Sequence, residues 1–369
     1  MNRIEKLIQQ LCPDGVEYRA LGEVASVKTG TQLNKSLMSA KGNYPVFNGG
    51  IRPSGFHTKY NTDANTIAVS QGGASAGFVN YVETKFWAGA HCFVIKPITI
   101  DLLNKFLYYA LKRGQNIIMS SKVGAGIPGL SRKEISQFPI PLPPLPIQEA
   151  IVEVLDAFSQ LEAELEAELE ARKKQYAYYR ERLLSFDGRK DVVWRTLGEV
   201  AIIGTGSRNT NESVSNGAFP FFVRSQEPLM IDKFDFDETA IITAGDGVGV
   251  GKVFHFIKGK YALHQRAYRI KVISANLHPK FLFYFIRSDF ARYLKTTSVH
   301  SSVTSLRRPM FEKYPIPLPS LSEQERIVGI LDKFEALVSD LSVGLPAELE
   351  ARRKQYAYYR ERLLTFRWK

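Results

Sequence analysis

The stretch ARKKQYAYYRERLLSF, residues 171–186, recurs as ARRKQYAYYRERLLTF at residues 351–366, and only two of the sixteen positions differ. Two weaker pairs of repeats precede these copies: FPIPLPPLPIQE at 138–149 with YPIPLPSLSEQE at 314–325, and RALGEVA at 19–25 with RTLGEVA at 195–201. The chain is therefore a tandem duplication. Because the sequence between these landmarks differs between the halves, the repeat predicts one scaffold that carries two different modules.

The composition indicates a folded, basic protein. The chain has 369 residues, of which 44% are hydrophobic, enough for two or more domains with their own cores. Lys and Arg number 49 against 37 Asp and Glu, giving a net charge of +12. This charge favours a polyanionic partner such as nucleic acid, through neutralisation of phosphates and release of counterions. A generically basic soluble protein is the alternative interpretation.

Cysteine usage and hydropathy bear on the compartment. Cys12 and Cys92 are too few for a disulfide framework or a cysteine-rich zinc site, so we expect a protein of the reducing cytoplasm. No signal peptide and no run of about 18 apolar residues is found, and no membrane partner is expected. The six histidines have no metal-ligand spacing, so no metal site is expected.

Apolar residues after each proline-rich landmark recur in alternating steps of three and four, the spacing of a coiled coil. They are Ile147, Ile151, Val154, Phe158, Leu161 and Leu165 in the first half, and Ile327, Ile330, Phe334, Leu337 and Leu341 in the second. Two long helices with matching stripes are most economically paired with each other, antiparallel. Gly344 and Pro346 predict a break near Val343 with a restart at Pro346, and Ser322 with Glu325 predicts a capping box.

The remaining segments contain short β-branched runs such as TIAVS (66–70) and AIITA (240–244), which predict strands, and one clear helix each, near 104–112 and 279–287. The predicted fold class is α/β (α+β). It consists of two globular modules with small mixed or antiparallel sheets, separated by a long antiparallel two-helix coiled coil, with a pseudo-twofold internal repeat. The predicted divisions are a first module at 1–145, a central helical spacer at 146–186, a second module at 187–320 and a C-terminal helical spacer at 321–369.

A glycine-rich stretch in each half invites comparison with phosphate-binding loops. GDGVGVGKV (245–253) departs from the pattern GxxxxGK[ST], since Asp246 stands at its first glycine and Val253 follows Lys252. QGGASAGFV (71–79) holds the matching place in the first half. A structural glycine turn is therefore favoured in both halves.

One carboxylate–lysine set resembles a nuclease centre. Asp63 precedes Glu83 and Lys85, a loose pattern that is common by chance and has no equivalent in the second half. A stand-alone DNA-cleaving enzyme built on these residues is kept as an alternative.

Several motifs taken together resemble the specificity subunit of type I DNA restriction–modification systems. They are LCPDGVEYRALGEV (11–24), TLGEV (196–200), the paired PIPLP segments with Gln-Glu helix starts, and the paired KQYAYYRERLL helix ends. The resemblance covers the whole chain and rests on the order and spacing of the motifs. In that family each variable module is a target-recognition domain, and the helices form a spacer that docks two adenine methyltransferase subunits. The resemblance implies a non-catalytic subunit that reads a bipartite, asymmetric DNA site.

The resemblance also implies partners and cofactors. Double-stranded DNA, two methyltransferase subunits and, through them, ATP-driven restriction subunits are the expected partners. S-adenosylmethionine, ATP and Mg would belong to those subunits, and no cofactor is expected on this chain; the sequence has no NPPF-like or DPPY-like loop. A coiled-coil scaffold that binds DNA without sequence preference is a second alternative.

Polar and basic loop residues are the candidates for DNA contact, because Arg suits guanine edges, Asn and Gln suit adenine, and Lys and Ser usually contact phosphate. In the first module they are Lys28, Thr29, Gln32, Gln71, Lys122 and Arg132, and in the second Ser207, Arg208, Asn209, Arg224, Gln265, Arg266, Arg307 and Arg308. Substitution of Arg208 is expected to weaken one half-site only.

The repeated helix ends are candidates for methyltransferase docking, because two copies of one partner require the same surface twice. Tyr176 and Tyr179 lie on the coiled-coil stripe and are expected in the core. The candidate docking residues lie off that stripe: Arg172, Lys174, Tyr178 and Arg180, with Arg352, Lys354, Tyr358 and Arg360. Phosphate contact is their alternative role.

A tetrapeptide repeats within the first long helix, in LEAELEAELEA (161–171). Four residues lengthen a helix by about 6 Å, and the family resemblance implies that such a repeat sets the gap between half-sites. An ordinary solvated helix is the alternative interpretation.

Overall fold

The computed structural model describes residues 3–121, 129–297, 305–339 and 343–369. The first half contains α1 (Arg3–Leu11), β1 (Tyr18–Ala20), α2 (Leu21–Val24), β2 (Ala25–Thr29), β3 (Tyr44–Phe47), β4 (Gly55–His57), β5 (Thr66–Ser70), β6 (Val79–Val82), β7 (Trp87–Ala88), β8 (Cys92–Pro97), α3 (Asn104–Arg113), α4 (Gln115–Ser120), α5 (Arg132–Ser136), β9 (Pro139–Pro141) and α6 (Leu145–Leu183). The second half contains β10 (Val193–Thr196), α7 (Leu197–Val200), β11 (Ala201–Thr205), β12 (Phe219–Phe222), β13 (Leu229–Ile231), β14 (Phe236–Ala244), β15 (Phe254–Leu263), β16 (Ala267–Val272), α8 (Pro279–Thr297), α9 (Arg308–Glu312), β17 (Pro315–Leu318), α10 (Leu321–Ser339) and α11 (Leu345–Leu363). Within these described residues, no helix is long and apolar enough to cross a membrane.

The chain forms two compact units. Unit 1 comprises the residues up to Glu166 together with Glu348–Lys369, and unit 2 comprises Ala167–Ala347. Each unit therefore holds one globular module and parts of the long helices. The division into four functional segments, with its boundaries at 145, 186 and 320, stays a prediction.

Unit 1 is built on two small sheets. The first has the antiparallel order β2-β8-β5-β6, and the second has the order β4-β3-β7, in which β3 and β7 are parallel. Every residue of β5 is buried, as its run of β-branched and small apolar side chains predicts. A separate antiparallel pair, β1 with β9, joins the LGEV landmark to the proline-rich landmark.

Unit 2 repeats this topology in one sheet. Its strand order is β11-β16-β14-β15-β12-β13, and the pair β10 with β17 corresponds to β1 with β9. The ten-residue strand β15 pairs antiparallel with β14 and then parallel with β12. It runs where unit 1 has the two separate strands β6 and β7, which is why unit 1 has two sheets and unit 2 has one.

The helical prediction is confirmed within each unit. In unit 1, the Phe158 ring of α6 lies 5.4 Å from Tyr359 and 6.2 Å from Tyr356 of α11, while Arg353 reaches back to Glu162 at 2.7 Å. The contact residue on α11 moves towards the start of that helix as the contact residue on α6 moves towards the end of its own, so the two helices are antiparallel. In unit 2, the later part of α6 packs its Tyr176 and Tyr179 rings 6.0 and 5.6 Å from Phe334 of α10.

The ends of these helices differ in detail from the prediction. The first helix ends at Leu183, three residues before the repeated segment does. The second is broken as predicted: α10 ends at Ser339 and α11 begins at Leu345, one residue before Pro346. A Cβ on Gly344 would lie 2.3 Å from the Ala336 carbonyl oxygen, so this break also requires glycine. The predicted capping box at Ser322 is wrong, because α10 begins earlier and the Glu323 N–H donates to Ser320 Oγ at 3.3 Å.

A buried glutamine anchors the start of each long helix to its module. Gln148 is fully buried; its Nε2 donates to the Asp101 and Pro143 carbonyls, both at 2.7 Å, and its Oε1 accepts the Leu103 N–H at 2.9 Å. Gln324 repeats this pattern in unit 2 with the corresponding backbone groups, those of Asn276, Pro319 and His278. Satisfied buried polar groups of this kind specify one geometry. The same anchor is therefore present twice.

Candidate nucleic-acid interface

In unit 2, the loop after β11 lies beside the turn that joins β15 to β16. The Arg208 N–H donates to the Leu263 carbonyl at 3.3 Å, and the Gln265 N–H donates to the Arg208 carbonyl at 3.0 Å. A Cβ on Gly206 would lie 1.8 Å from the Leu263 oxygen, so only glycine permits this approach. The backbone pairing brings four predicted contact residues together: Ser207, Arg208, Asn209 and Gln265.

Two further predicted arginines meet at one carboxylate that sequence reasoning missed. Arg224 Nη1 lies 2.8 Å from Asp246 Oδ1, and Arg266 Nη1 lies 3.1 Å from Asp246 Oδ2. The arginine side chains are 45% and 60% exposed, and that of Asp246 is 23% exposed. Burial opposes ionisation of Asp246, but the hydrogen bonds and charges of both arginines outweigh it and lower its pKa below the ordinary value.

Arg208 is engaged differently from these two arginines. Its Nε and Nη2 both donate to Asp235 Oδ1, at 2.9 and 2.8 Å, and its Nη1 donates to Glu212 Oε2 at 2.9 Å. The paired carboxylates raise the pKa of Arg208, chiefly through these hydrogen bonds. Because each of the three guanidinium nitrogens binds a carboxylate, the geometry favours a role in holding the loop.

The other candidate residues of the second module lie next to the loops that hold Arg208 and Asp246. The Leu306 N–H donates to the Gly245 carbonyl at 2.7 Å, which places Arg307 next along the chain from the Asp246 region. Arg307 and Arg308 are both exposed, and Arg308 Nε donates to Glu312 Oε1 at 2.8 Å. Gln265 Nε2 bonds Asn209 Oδ1 at 2.5 Å, which orients both amides.

In unit 1, three of the predicted residues lie at the end of β2. Arg132 Nη2 donates to Thr29 Oγ1 at 3.2 Å, and Lys28 and Thr29 line a cleft of about 250 Å³. Gln32 is exposed just beyond them. Gln71 is half-buried at the end of β5, and its Oε1 has no hydrogen-bond partner among the residues the structure describes. Lys122 lies outside the described residues.

The glycine-rich stretches form turns, as predicted. Gly73 and Gly77 adopt φ values of 74° and 89° in the first module. In the second, Gly247 and Gly251 adopt 78° and 68°, around a 3₁₀ turn at Gly247–Gly249. Positive φ values favour glycine at these positions.

The nuclease-like set is not assembled. Lys85 Nζ donates to Tyr60 Oη at 3.0 Å, while Asp63 pairs with Lys96 at 3.6 Å and Glu83 with Lys105 at 3.5 Å. Each member of the set thus has a different partner. No group of three or more His, Cys, Asp or Glu suited to a metal occurs in the described part of the chain.

The repeated helix ends present the same side-chain arrangement in both units. Tyr178 and Tyr358 are each 57% exposed, and each hydroxyl accepts from the arginine four residues later, at 3.3 Å from Arg182 and 3.1 Å from Arg362. Each also packs edge-on against the next tyrosine at 5.4 Å. The tyrosine–arginine pair therefore recurs in conformation as well as in sequence, and in unit 1 Arg362 also donates to Glu5 Oε1 at 2.9 Å.

The basic candidates on these helices are also duplicated. Arg180 lies over the Tyr176 ring at 5.4 Å, and Arg360 over Tyr356 at 5.1 Å. Arg172 and Arg352 each bond the glutamine three residues later at 3.0 Å. Lys174 is exposed, and Lys354 is exposed and pairs with Glu350 at 3.3 Å.

Tyr176 and Tyr179 of the coiled-coil stripe are both expected in the core, and this holds for Tyr176 only. Tyr176 is 8% exposed, whereas Tyr179 is 37% exposed although its ring stacks on Phe334. Tyr179 therefore lies at the margin of the helix pair and adds apolar surface beside Tyr178.

Comparison with known proteins places this arrangement in a family. The model of the type I restriction modification DNA specificity domain matches twice, at residues 13–171 and 189–351. The chain is 31% identical to the specificity subunit of the type I restriction enzyme EcoR124I/EcoR124II of Escherichia coli, over 99% of this chain and 97% of that protein. The chain therefore belongs to the type I restriction–modification specificity family.

Solved structures share the fold. The S subunit of a type I restriction–modification system from M. genitalium superposes with a TM-score of 0.68 at 21% identity, covering 95% of this chain and 96% of that one. A chain from a study of complex assembly and conformational transition of the type I system gives 0.61 at 18% identity, with 95% and 98% covered. The present chain is thus a DNA specificity subunit with two specificity domains, and it is not itself a methyltransferase or an endonuclease.

Proposed function

We propose that the chain reads a bipartite, asymmetric DNA site, one half-site with each module, and presents two equivalent docking surfaces to two methyltransferase subunits. The observation that carries the proposal is the contrast between the two kinds of surface. The helix ends carry the same tyrosine–arginine pair in both units, and Tyr178 and Tyr358 are equally exposed. The loop edges of the modules share a backbone plan but differ in side chains.

The reading role rests on the polar loop edges. In unit 2, arginines and amides converge where β11 and β15 end and β16 begins, and these are the groups that hydrogen-bond guanine and adenine edges. The net charge of +12 supplies attraction to phosphate. Mapping of methylated adenines in cells that carry the full chain and its methyltransferase should yield two unlike half-sites separated by an unread gap; a continuous or palindromic motif would oppose the proposal.

The docking role rests on the duplicated helix ends. An exposed tyrosine bonded by an arginine one turn later is a rigid amphipathic anchor of the kind enriched in protein interfaces. Because each unit carries one copy, one chain should bind two identical partners. Phosphate contact by the neighbouring Lys and Arg residues is the competing role.

Native mass spectrometry of the chain with its methyltransferase tests the docking role. Two methyltransferases per chain are expected for the natural sequence and one for either Tyr178→Ala or Tyr358→Ala, with none for the double variant. Tyr44→Ala, which removes a half-buried tyrosine of β3, is the control and should retain two. A stoichiometry of one for the natural chain, or full occupancy in the double variant, would refute the proposal.

The cofactors follow from this division of labour. S-adenosylmethionine, ATP and Mg would bind the methyltransferase and restriction subunits, which act on DNA that this chain selects, and the assembled complex would operate in the cytoplasm. Binding of labelled S-adenosylmethionine to the purified chain alone, at the level seen for the complex, would contradict this part of the proposal.

A further inference from the structure

The two modules can be matched position by position at their loop edges, because the same backbone hydrogen bonds recur. The Gln71 N–H donates to the His91 carbonyl at 2.8 Å in unit 1, and the Gly245 N–H donates to the Arg266 carbonyl at 2.9 Å in unit 2. His91 and Arg266 therefore occupy the same place in the plan.

Two more positions are matched in the same way. Isolated bridges join Gly72 to Gly129 in unit 1 and Asp246 to Ser305 in unit 2, so Gly72 corresponds to Asp246. The strands β3 and β12 end at Phe47 and Phe222, whose carbonyls accept the N–H groups of Gly89 and His264. Gly49 and Arg224, each two residues further along, therefore correspond to each other.

One backbone plan thus carries Arg224, Asp246 and Arg266 in unit 2, where unit 1 carries Gly49, Gly72 and His91. The scaffold does not require this change, since the strands that flank these positions pair in the same way in both units: β5 with β8 and β3 with β7 in unit 1, β14 with β16 and β12 with β15 in unit 2. The change alters the groups that these loops present to a ligand: in unit 2 they are two guanidinium groups bound to one carboxylate.

Stability does not account for this cluster. Both arginines are about half exposed or more, and exposed ion pairs contribute little. Two positive groups share one negative group, so the cluster keeps a net positive charge. Among the described residues, each guanidinium donates to Asp246 through Nη1, and its Nε and Nη2 groups make no hydrogen bond.

We propose that Arg224 and Arg266, oriented by Asp246, read guanine in the half-site of unit 2. The inference rests on the proposed reading function and names its chemistry. The Nε–Nη2 edge of an arginine matches the O6 and N7 acceptors of guanine in the major groove, and a carboxylate that fixes the guanidinium lowers the entropy lost on binding. Asp246 is a positioning residue. Unit 1, with two glycines and His91 at these places, does not make this contact.

Variants of the full chain, assembled with its methyltransferase, test the assignment. Relative methylation rates are measured on duplexes that carry each of the four bases at every position of the mapped half-sites. Arg266→Ala and Arg224→Ala should each reduce the preference for guanine at one position by roughly ten- to a hundred-fold. Asp246→Asn should relax the same positions less, and the other half-site should keep its preferences.

Arg266→Gln makes the test sharper, because glutamine suits adenine rather than guanine. It should shift the preferred base at the affected position from guanine towards adenine. Arg292→Ala is the matched control: Arg292 is 73% exposed and pairs with Asp289 in the same unit, so the variant removes an equal charge elsewhere. It should leave both half-sites unchanged.

The outcomes separate this inference from the proposed function. A bipartite motif whose guanine preferences survive both alanine variants overturns the inference alone, as does a uniform loss across all sequences, which marks a phosphate contact. A natural chain without a bipartite motif overturns the proposed function. If Arg266→Ala abolishes methylation, Arg266→Lys decides. Methylation restored without a preference for guanine at the affected position overturns guanine reading; failure to restore it, or restoration that keeps the preference, supports guanine reading.

Discussion

Replacement of Gln148 by leucine tests whether the helix start is locked to the module as the contacts indicate. The side chain makes three hydrogen bonds of 2.7 to 2.9 Å to backbone groups and has no exposed surface. Leucine is of similar size but leaves two carbonyls and the Leu103 N–H unpaired. Each unpaired buried group costs about 1–3 kcal/mol, and burial of the leucine side chain offsets part of that cost. The free energy of unfolding of unit 1 should therefore fall by roughly 3–6 kcal/mol.

Hydrogen exchange followed by mass spectrometry measures this loss locally, which suits a chain of two units that need not unfold in one step. Amides of α3 and of the start of α6 should exchange on the order of a hundred-fold faster or more in the variant, since about 1.4 kcal/mol corresponds to a factor of ten. Gln324→Leu should do the same to the start of α10, through the amide of His278.

The control is Gln160→Leu, the same substitution on the same helix. Gln160 is exposed and donates only to Glu164 Oε1 at 2.9 Å, so its loss should cost less than about 0.5 kcal/mol. Equal exchange in the Gln148 and Gln160 variants would refute the claim that buried amides anchor the helices.

Three further predictions concern the spacer, pH and the loop of unit 2. Deletion of Leu165–Glu168 keeps the tetrapeptide pattern in phase within the unbroken α6 and shortens the helix by about 6 Å. The accepted gap in the methylated motif should therefore shorten, and an unchanged gap would show that the repeat does not set it. Burial, and then the charges of Arg224 and Arg266, lower the pKa of His264 in the folded state. Its contribution to stability is therefore complete above about pH 6.5 and is lost as the pH falls. Hydrogen exchange of unit 2 should be faster at about pH 5.5, after correction for intrinsic rates. His264→Asn should reduce that dependence, and His255, whose pKa burial also lowers, should account for a remaining part. Arg208→Ala removes the guanidinium that joins Asp235 and Glu212, so it should disorder its loop and relax one half-site at several positions together. Loss at a single base position would instead mark a direct base contact.

The duplicated scaffold could be predicted from the sequence because its signals are local. Repeated segments, a three–four apolar spacing, and Gly344 with Pro346 each act within a few residues, and the helices and their break follow from them. The predicted helix cap is wrong by two residues, because Ser320 and Ser322 offer the same hydroxyl and only the packing of α10 decides between them.

The candidate site was less predictable because its partners are distant in sequence. Arginines could be named as candidates, but their carboxylate partners could not: Asp235 and Asp246 are brought to Arg208, Arg224 and Arg266 only by strand register. That register separates Arg208, whose three guanidinium nitrogens all bind carboxylates, from Arg224 and Arg266, which bind Asp246 through Nη1. The match between the two glycine-rich stretches is the one signal of this site within the sequence, since it aligns Asp246 with Gly72.

If one scaffold is used twice, the modules alone should determine what each half reads. Replacing residues 197–318 with a second copy of residues 21–142 tests this. The first junction falls where α2 and α7 begin, and the second falls at the matching positions 142 and 318, where the β9 and β17 segments end. Methylated-adenine mapping should then report a site made of two copies of the unit 1 half-site. A site that still has two unlike halves would contradict the account.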